Sequence, residues 1–163
     1  MTRRRITVIH GPRDSGKTKT AAALAARMRA QGMRVGGVLS EAEMRSGVKV
    51  SYSFFDLGTA ERSLYALRRP EPIPQGVRAY EFLPEGLDFG RRAVLGAVEA
   101  GAEAIIVDEI GPLEMEGRGL WDAVRDLLSR FSGEIVIVVR DSLLDGLPGR
   151  LGVALSDLAA FES

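Results

Sequence analysis

The chain has 163 residues, 45% apolar and 27% charged, with a formal net charge of zero; that is room for one domain with a sizeable core, and no overall charge with which to hold nucleic acid. It has no cysteine and one histidine, which excludes disulfides, a thiolate metal site, a cysteine nucleophile and a zinc site of the usual kind. No apolar run approaches the roughly 20 residues of a membrane span, and the basic opening MTRRRITVIHG is too short in its apolar part for a signal peptide, so the expected setting is cytoplasmic and away from membranes.

Residues 5–10 (RITVIH) form a short β-branched run that ends in Gly11, the signature of a buried strand. From Lys17 to Gln31 the composition turns strongly helical, and Gly32 supplies a C-terminal stop. Residues 35–40 (VGGVLS) read as a second strand. Residues 48–57 (VKVSYSFFDL) read as an antiparallel strand after a turn at Ser46-Gly47. Residues 61–69 fit either a short helix or a strand, and Pro70, Pro72 and Pro74 mark an irregular loop. A short run at 77–83 precedes a helix expected from near Asp88 to Gly101. Residues 104–107 (AIIV) form a buried strand ending on Asp108 and Glu109. Leu120, Trp121, Val124, Leu127, Leu128 and Phe131 follow helical spacing, and 134–139 (EIVIVV) is another buried strand, followed by Arg140. Residues 141–163 read as a short helix and weakly patterned sequence. Apolar strands alternating with helices imply an α/β fold, a mostly parallel sheet with an antiparallel edge and helices on both faces. Ligands of such sheets sit beyond the carboxyl ends of the strands, where Gly11, Asp108, Glu109 and Arg140 fall.

The stretch Gly11-Pro12-Arg13-Asp14-Ser15-Gly16-Lys17-Thr18 matches G-x-x-x-x-G-K-[ST], the phosphate-binding loop, between a strand and a helix. Its glycines let the backbone curl so that successive N–H groups face phosphate oxygens, and the helix start adds its positive dipole end. Lys17 is expected on the β- and γ-phosphates and the Thr18 hydroxyl on Mg²⁺. Of the 22 basic residues 19 are Arg and three Lys, so a point charge stands where a phosphate chain wants one; Lys19 follows directly. Asp108, at a strand end, is the expected second holder of the metal, through a coordinated water. Glu109 is the expected general base for the attacking water, and Arg140 a charge stabiliser facing the γ-phosphate. Arg13 is a further phosphate contact and Glu114 a further support for water or metal. His10 and Trp121 read as packed residues, and Arg91 and Arg92 as a solvated helix face. Asp108-Glu109-Ile110-Gly111 fits D-x-x-G, but the chain has no N-K-x-D with which to read guanine.

Together GPRDSGKT, RVGGVLSEAE, SYSFFDL and VDEIGPLE resemble the small nucleoside-triphosphatase family that includes the cancer-related nucleoside-triphosphatase, over residues 5–139. The resemblance implies a three-layer, RecA-like P-loop fold. It also implies slow magnesium-dependent hydrolysis of ATP, GTP and related nucleotides with broad base tolerance, with Lys17, Thr18, Asp108 and Glu109 carrying the phosphate, metal and water-activating roles. The segment after the last strand is shorter here than is usual in that family. Two other readings stand beside hydrolysis: a P-loop kinase passing the γ-phosphoryl group to a small acceptor beneath the loop at 68–80, and a nucleotide-dependent adaptor for a partner protein.

Overall fold

The computed structural model describes residues 5–153 and 158–162, the latter by their backbone. In chain order the elements are β1 (Arg5–Gly11), α1 (Lys17–Ala30), β2 (Val35–Arg45), β3 (Val48–Asp56), β4 (Arg62–Arg68), β5 (Tyr80–Phe82), α2 (Pro84–Glu99), β6 (Ala104–Ile110), α3 (Pro112–Met115), α4 (Trp121–Arg130), β7 (Glu134–Arg140), α5 (Asp141–Leu144), α6 (Leu147–Leu151) and β8 (Leu158–Glu162). The strands make one sheet in the order β5-β4-β3-β2-β6-β7-β1-β8. The pairs β2–β6, β6–β7, β7–β1 and β1–β8 are parallel, and β2–β3, β3–β4 and β4–β5 antiparallel.

Alternation along the central strands loads both faces of this sheet. Ile9, Ile106, Val136 and Val138 pack with Ala21, Ala25 and Met28 of α1 on one face. Val8, Ile105, Ile135 and Ile137 pack with Val94 of α2 and Val124 and Leu127 of α4 on the other. Each fully buried Val, Ile or Leu side chain contributes about 1.5–3 kcal/mol relative to leaving it in water. Small residues let the layers close up. A Cβ on Gly36 would lie 2.5 Å from that of Ala97 in α2. Gly37 takes φ +104° and approaches the Ile106 carbonyl so closely that a Cβ would sit 2.0 Å from its oxygen. Gly86, in the first turn of α2, presses on β4, where a Cβ would meet the Leu64 oxygen at 2.0 Å.

The structure extends or resolves the sequence expectation in four stretches. Strand β2 runs on to Arg45 instead of stopping at Ser40, because its polar end pairs with β3 and needs no buried face. The ambiguous stretch at 61–69 is a strand, β4, held between β3 and β5. Helix α2 starts at Pro84, four residues before Asp88, with proline in its first turn and Glu85 beside it. The described residues beyond β7 hold two short helices, α5 and α6, and then β8 on the edge of β1. The segment LAAFE has too few β-branched residues to announce a strand.

The connection between β6 and α4 is tied from within. Glu114 is buried, and its two carboxylate oxygens accept from the backbone N–H of Gly111 (2.9 Å) and of Leu120 (3.0 Å). A Cβ on Gly119 would overlap this carboxylate. Glu114 is therefore a loop brace, not the support for water or metal that its position in the sequence suggested. Arg91 donates to the Gly119 carbonyl (3.0 Å) and so braces the same loop instead of standing free in solvent. Trp121 is core, as expected, with the Arg150 guanidinium 4.4 Å from its ring centroid.

Two substitutions test these contacts. Glu114→Gln keeps one acceptor and turns an N–H₂ on the second backbone donor, which should lower stability by about 1–3 kcal/mol in a denaturant titration. Gly86→Ala should cost about 1–3 kcal/mol in the same assay through overpacking against β4.

Candidate functional site

The site is built where the parallel strands end. β1 delivers Gly11 to the sheet edge, and residues 11–16 turn the chain into α1. Asp14 (φ +59°) and Gly16 (φ +89°) take left-handed conformations in that turn, and Gly16 caps α1 without any side-chain hydrogen bond. The first turn of α1 holds no acidic residue, so its N–H groups and dipole meet an anion unopposed. Pro12, Arg13, Asp14 and Lys19 are exposed, Ser15 and Gly16 half-buried, and Lys17 buried. The Lys17 ammonium curls back over its own loop and donates to the Pro12 carbonyl at 2.6 Å.

Across the loop stands β6. The Thr18 hydroxyl donates to Asp108 Oδ2 at 2.7 Å, and the backbone N–H of Ser40 donates to the same oxygen at 3.1 Å. Asp108 is fully buried, and its Oδ1 has no hydrogen-bond partner among the described residues. Burial pushes its carboxyl up to about 7, against the opposing pull of Thr18 and Ser40. A desolvated carboxylate with one oxygen unsatisfied, touching a threonine hydroxyl at the start of a phosphate loop, is a donor set that fits Mg²⁺. That ion prefers hard oxygens and takes one or two ligands from protein. Among the described residues no cluster of three or more His, Cys, Asp or Glu could hold a metal. A cation at Thr18 and Asp108 would therefore complete its shell with water and phosphate.

Beyond Asp108 the ladder between β6 and β7 shifts register, and the Asp108–Glu109 peptide bond is cis. Glu109 is half-buried and pairs with Arg140 at 3.5 Å, their side chains 30% and 25% exposed. The pairing of β1 with β7 sets Arg140 level with Gly11, so the phosphate loop, Glu109 and Arg140 share one mouth. His10 is hydrogen-bonded to Asp141 at 2.8 Å and takes no part in that mouth.

Four residues at the site had no signal of their own in the sequence. Ser40 reaches Asp108 because β2 lies beside β6, and its hydroxyl meets the Tyr65 hydroxyl at 2.6 Å. Burial holds the Tyr65 phenol well above its usual range. Tyr52 sits half-buried close enough to Glu109 that the carboxylate adds to burial in raising its phenol. Lys49 bonds the Asp14 carboxylate and holds that acid below the usual carboxylate range. The pairing order β3-β2-β6 could have placed Ser40, but only once the sheet was assembled.

Comparison with known proteins points the same way. The chain is 30% identical over 135 residues to nucleoside-triphosphatase THEP1 of Thermococcus kodakarensis, covering 81% of this chain and 74% of that protein. It is 26% identical over 131 residues to nucleoside-triphosphatase THEP1 of Korarchaeum cryptofilum, with 80% of this chain aligned but only 65% of the relative's length. The fold matches a solution structure of a human cancer-related nucleoside triphosphatase (TM-score 0.72, 20% identity, 97% of this chain and 88% of that one). It also matches a crystal structure of THEP1 from Aquifex aeolicus (TM-score 0.71, 18% identity, 96% and 88%). Residues 6–153 match the family described as NTPase, and with a phosphate loop, a buried strand-end acid and this P-loop fold in agreement, the chain belongs to that family.

Proposed function

We propose that this protein hydrolyses nucleoside triphosphates, ATP and GTP among them, to the diphosphate and inorganic phosphate in a magnesium-dependent reaction with broad base tolerance. The observation that carries the reading is the contact between Thr18 and the buried, half-satisfied carboxylate of Asp108, with Glu109 next in the chain at the mouth of the phosphate loop. Family membership supports the reaction class. The missing N-K-x-D motif supports tolerance of the base. Among the described residues no helix is long and apolar enough to cross a membrane, and a cytoplasmic setting belongs to the same proposal, with neither nucleic acid nor membrane as partner.

The roles follow from position. The N–H groups of residues 11–16 and the start of α1 bind the phosphate chain. Lys17 leaves the Pro12 carbonyl for the β- and γ-phosphate oxygens. Thr18 and Asp108 would hold Mg²⁺, which would supply positive charge to the phosphate chain. Glu109 accepts a proton from the attacking water. The water oxygen bonds to the γ-phosphorus, the bond to the β–γ bridging oxygen breaks, and its electron pair departs with the diphosphate. Arg140 is engaged with Glu109, which fits orientation of that base better than the direct γ-phosphate contact expected from its place in the sequence. Membership of the NTPase family sets hydrolysis above phosphoryl transfer to a small molecule.

Phosphate release from magnesium nucleotides, measured without any added acceptor, tests the reading, and activity that depends on an acceptor would replace it with a kinase. Lys17→Ala should abolish triphosphate binding or turnover. Glu109→Gln should keep nucleotide affinity and lower kcat by roughly 10²-fold or more; unchanged turnover would place the base elsewhere.

A further inference from the structure

The hairpin of β2 and β3 rises past the sheet edge that holds Asp108 and leans over the phosphate loop. Its turn lies at Ser46 and Gly47, both with positive φ. Its ladder pairs Glu43 with Ser51 and then Met44 with Lys49, so Val50 is an extra residue in β3. Such a bulge re-aims the side chain next to it. Here it sets Lys49 on the same side as Tyr52, its ammonium 5.8 Å from the ring centroid. The Tyr80 hydroxyl donates to the Lys49 carbonyl at 3.0 Å and fixes the backbone at that point. The ammonium itself bonds the side chain of Asp14, inside the phosphate loop.

Two features of this ion pair call for a ligand. An acid inside a loop that binds polyphosphate repels its own substrate unless its charge is masked, and Lys49 is the group that masks it. The masking group is one of only three lysines against 19 arginines, and two of those three, Lys17 and Lys49, bond oxygens of the same loop. Lysine offers three donors on a flexible stem and so can keep one carboxylate while taking up a phosphate oxygen, whereas arginine presents its donors in a rigid planar fork. Lys49 also stands beside Tyr52, whose phenol feels the Glu109 carboxylate as well, so the ammonium bridges the loop and the residue next to the expected base.

We propose that Lys49 is a catalytic residue: held on Asp14 in the free protein, its ammonium contacts the γ-phosphate of the bound nucleotide and neutralises charge there as the β–γ bond breaks. This rests on the hydrolase reading above. The cation comes from the protein's own hairpin, so the site is complete without an arginine from a second subunit.

The test uses the full chain with Lys49→Ala, Lys49→Arg, Asp14→Asn and Lys17→Ala, each checked for wild-type folding by circular dichroism. Lys49→Ala should lower kcat roughly 10-fold or more and weaken a non-hydrolysable triphosphate, while the diphosphate binds within about twofold of wild type. Lys49→Arg should restore part of kcat. Asp14→Asn should tighten triphosphate binding by about two- to fivefold, the scale of an exposed charge pair. A structural latch gives another pattern, in which Lys49→Ala and Asp14→Asn weaken triphosphate and diphosphate alike. That pattern, or an unchanged kcat in Lys49→Ala, overturns the proposal while loss of binding in Lys17→Ala leaves the hydrolase reading standing. Full binding by Lys17→Ala removes the hydrolase reading and this inference with it.

Discussion

The buried carboxylate of Asp108 is the constraint around which this site is organised. Its charge is fully withdrawn from water, one oxygen is held by Thr18 and Ser40, and the other finds no donor among the described residues. Such a group raises its own protonation equilibrium and weakens the fold around it unless a positive charge compensates. The Lys17 ammonium, bonded to the Pro12 carbonyl, offsets this burial only in part, and Arg140 is paired with Glu109. A divalent cation brought in with a polyphosphate meets the need, and this couples nucleotide binding to relief of a local electrostatic cost.

The fold delivers that arrangement through strand adjacency. Asp108 can be buried only because β6 is flanked by β2 and β7 and roofed on both faces by apolar layers. Gly37 allows β2 to close on β6, and β2 then presents the Ser40 N–H to Asp108. The Glu114 brace fixes the chain that leaves β6, and Glu109, at the register shift between Asp108 and Ile110, pairs with Arg140. The antiparallel extension has a second use: it carries the bulged hairpin whose Lys49 reaches the phosphate loop.

Much of this was legible in the sequence, for physical reasons. Buried parallel strands must be apolar on both faces, so RITVIH, AIIV and EIVIVV stood out, and the spacing of the phosphate loop follows from what its backbone must do. Helix α1 ends within a residue of its expected stop because Gly32 closes it. What stayed hidden depends on contacts distant in the chain. The polar end of β2 and the edge strand β8 exist through pairing and not through pattern. Glu114 reads as a support for water or metal because it sits in the loop after Asp108, and only the fold shows both its oxygens taken by backbone N–H groups. Arg140 reads from sequence as a charge stabiliser facing the γ-phosphate, and its ion pair with Glu109 appears only in the fold. Lys49 lies 35 residues from Asp14, and a one-residue bulge decides which way it points.

The most direct measurement of the central claim is a calorimetric titration of a non-hydrolysable ATP analogue, with and without Mg²⁺, into the wild-type chain and Asp108→Asn. If the buried carboxylate and Thr18 hold the cation, Mg²⁺ strengthens binding to the wild type by about tenfold or more, and Asp108→Asn loses most of that gain while still binding the metal-free analogue. An equal gain from Mg²⁺ in both proteins would contradict the account.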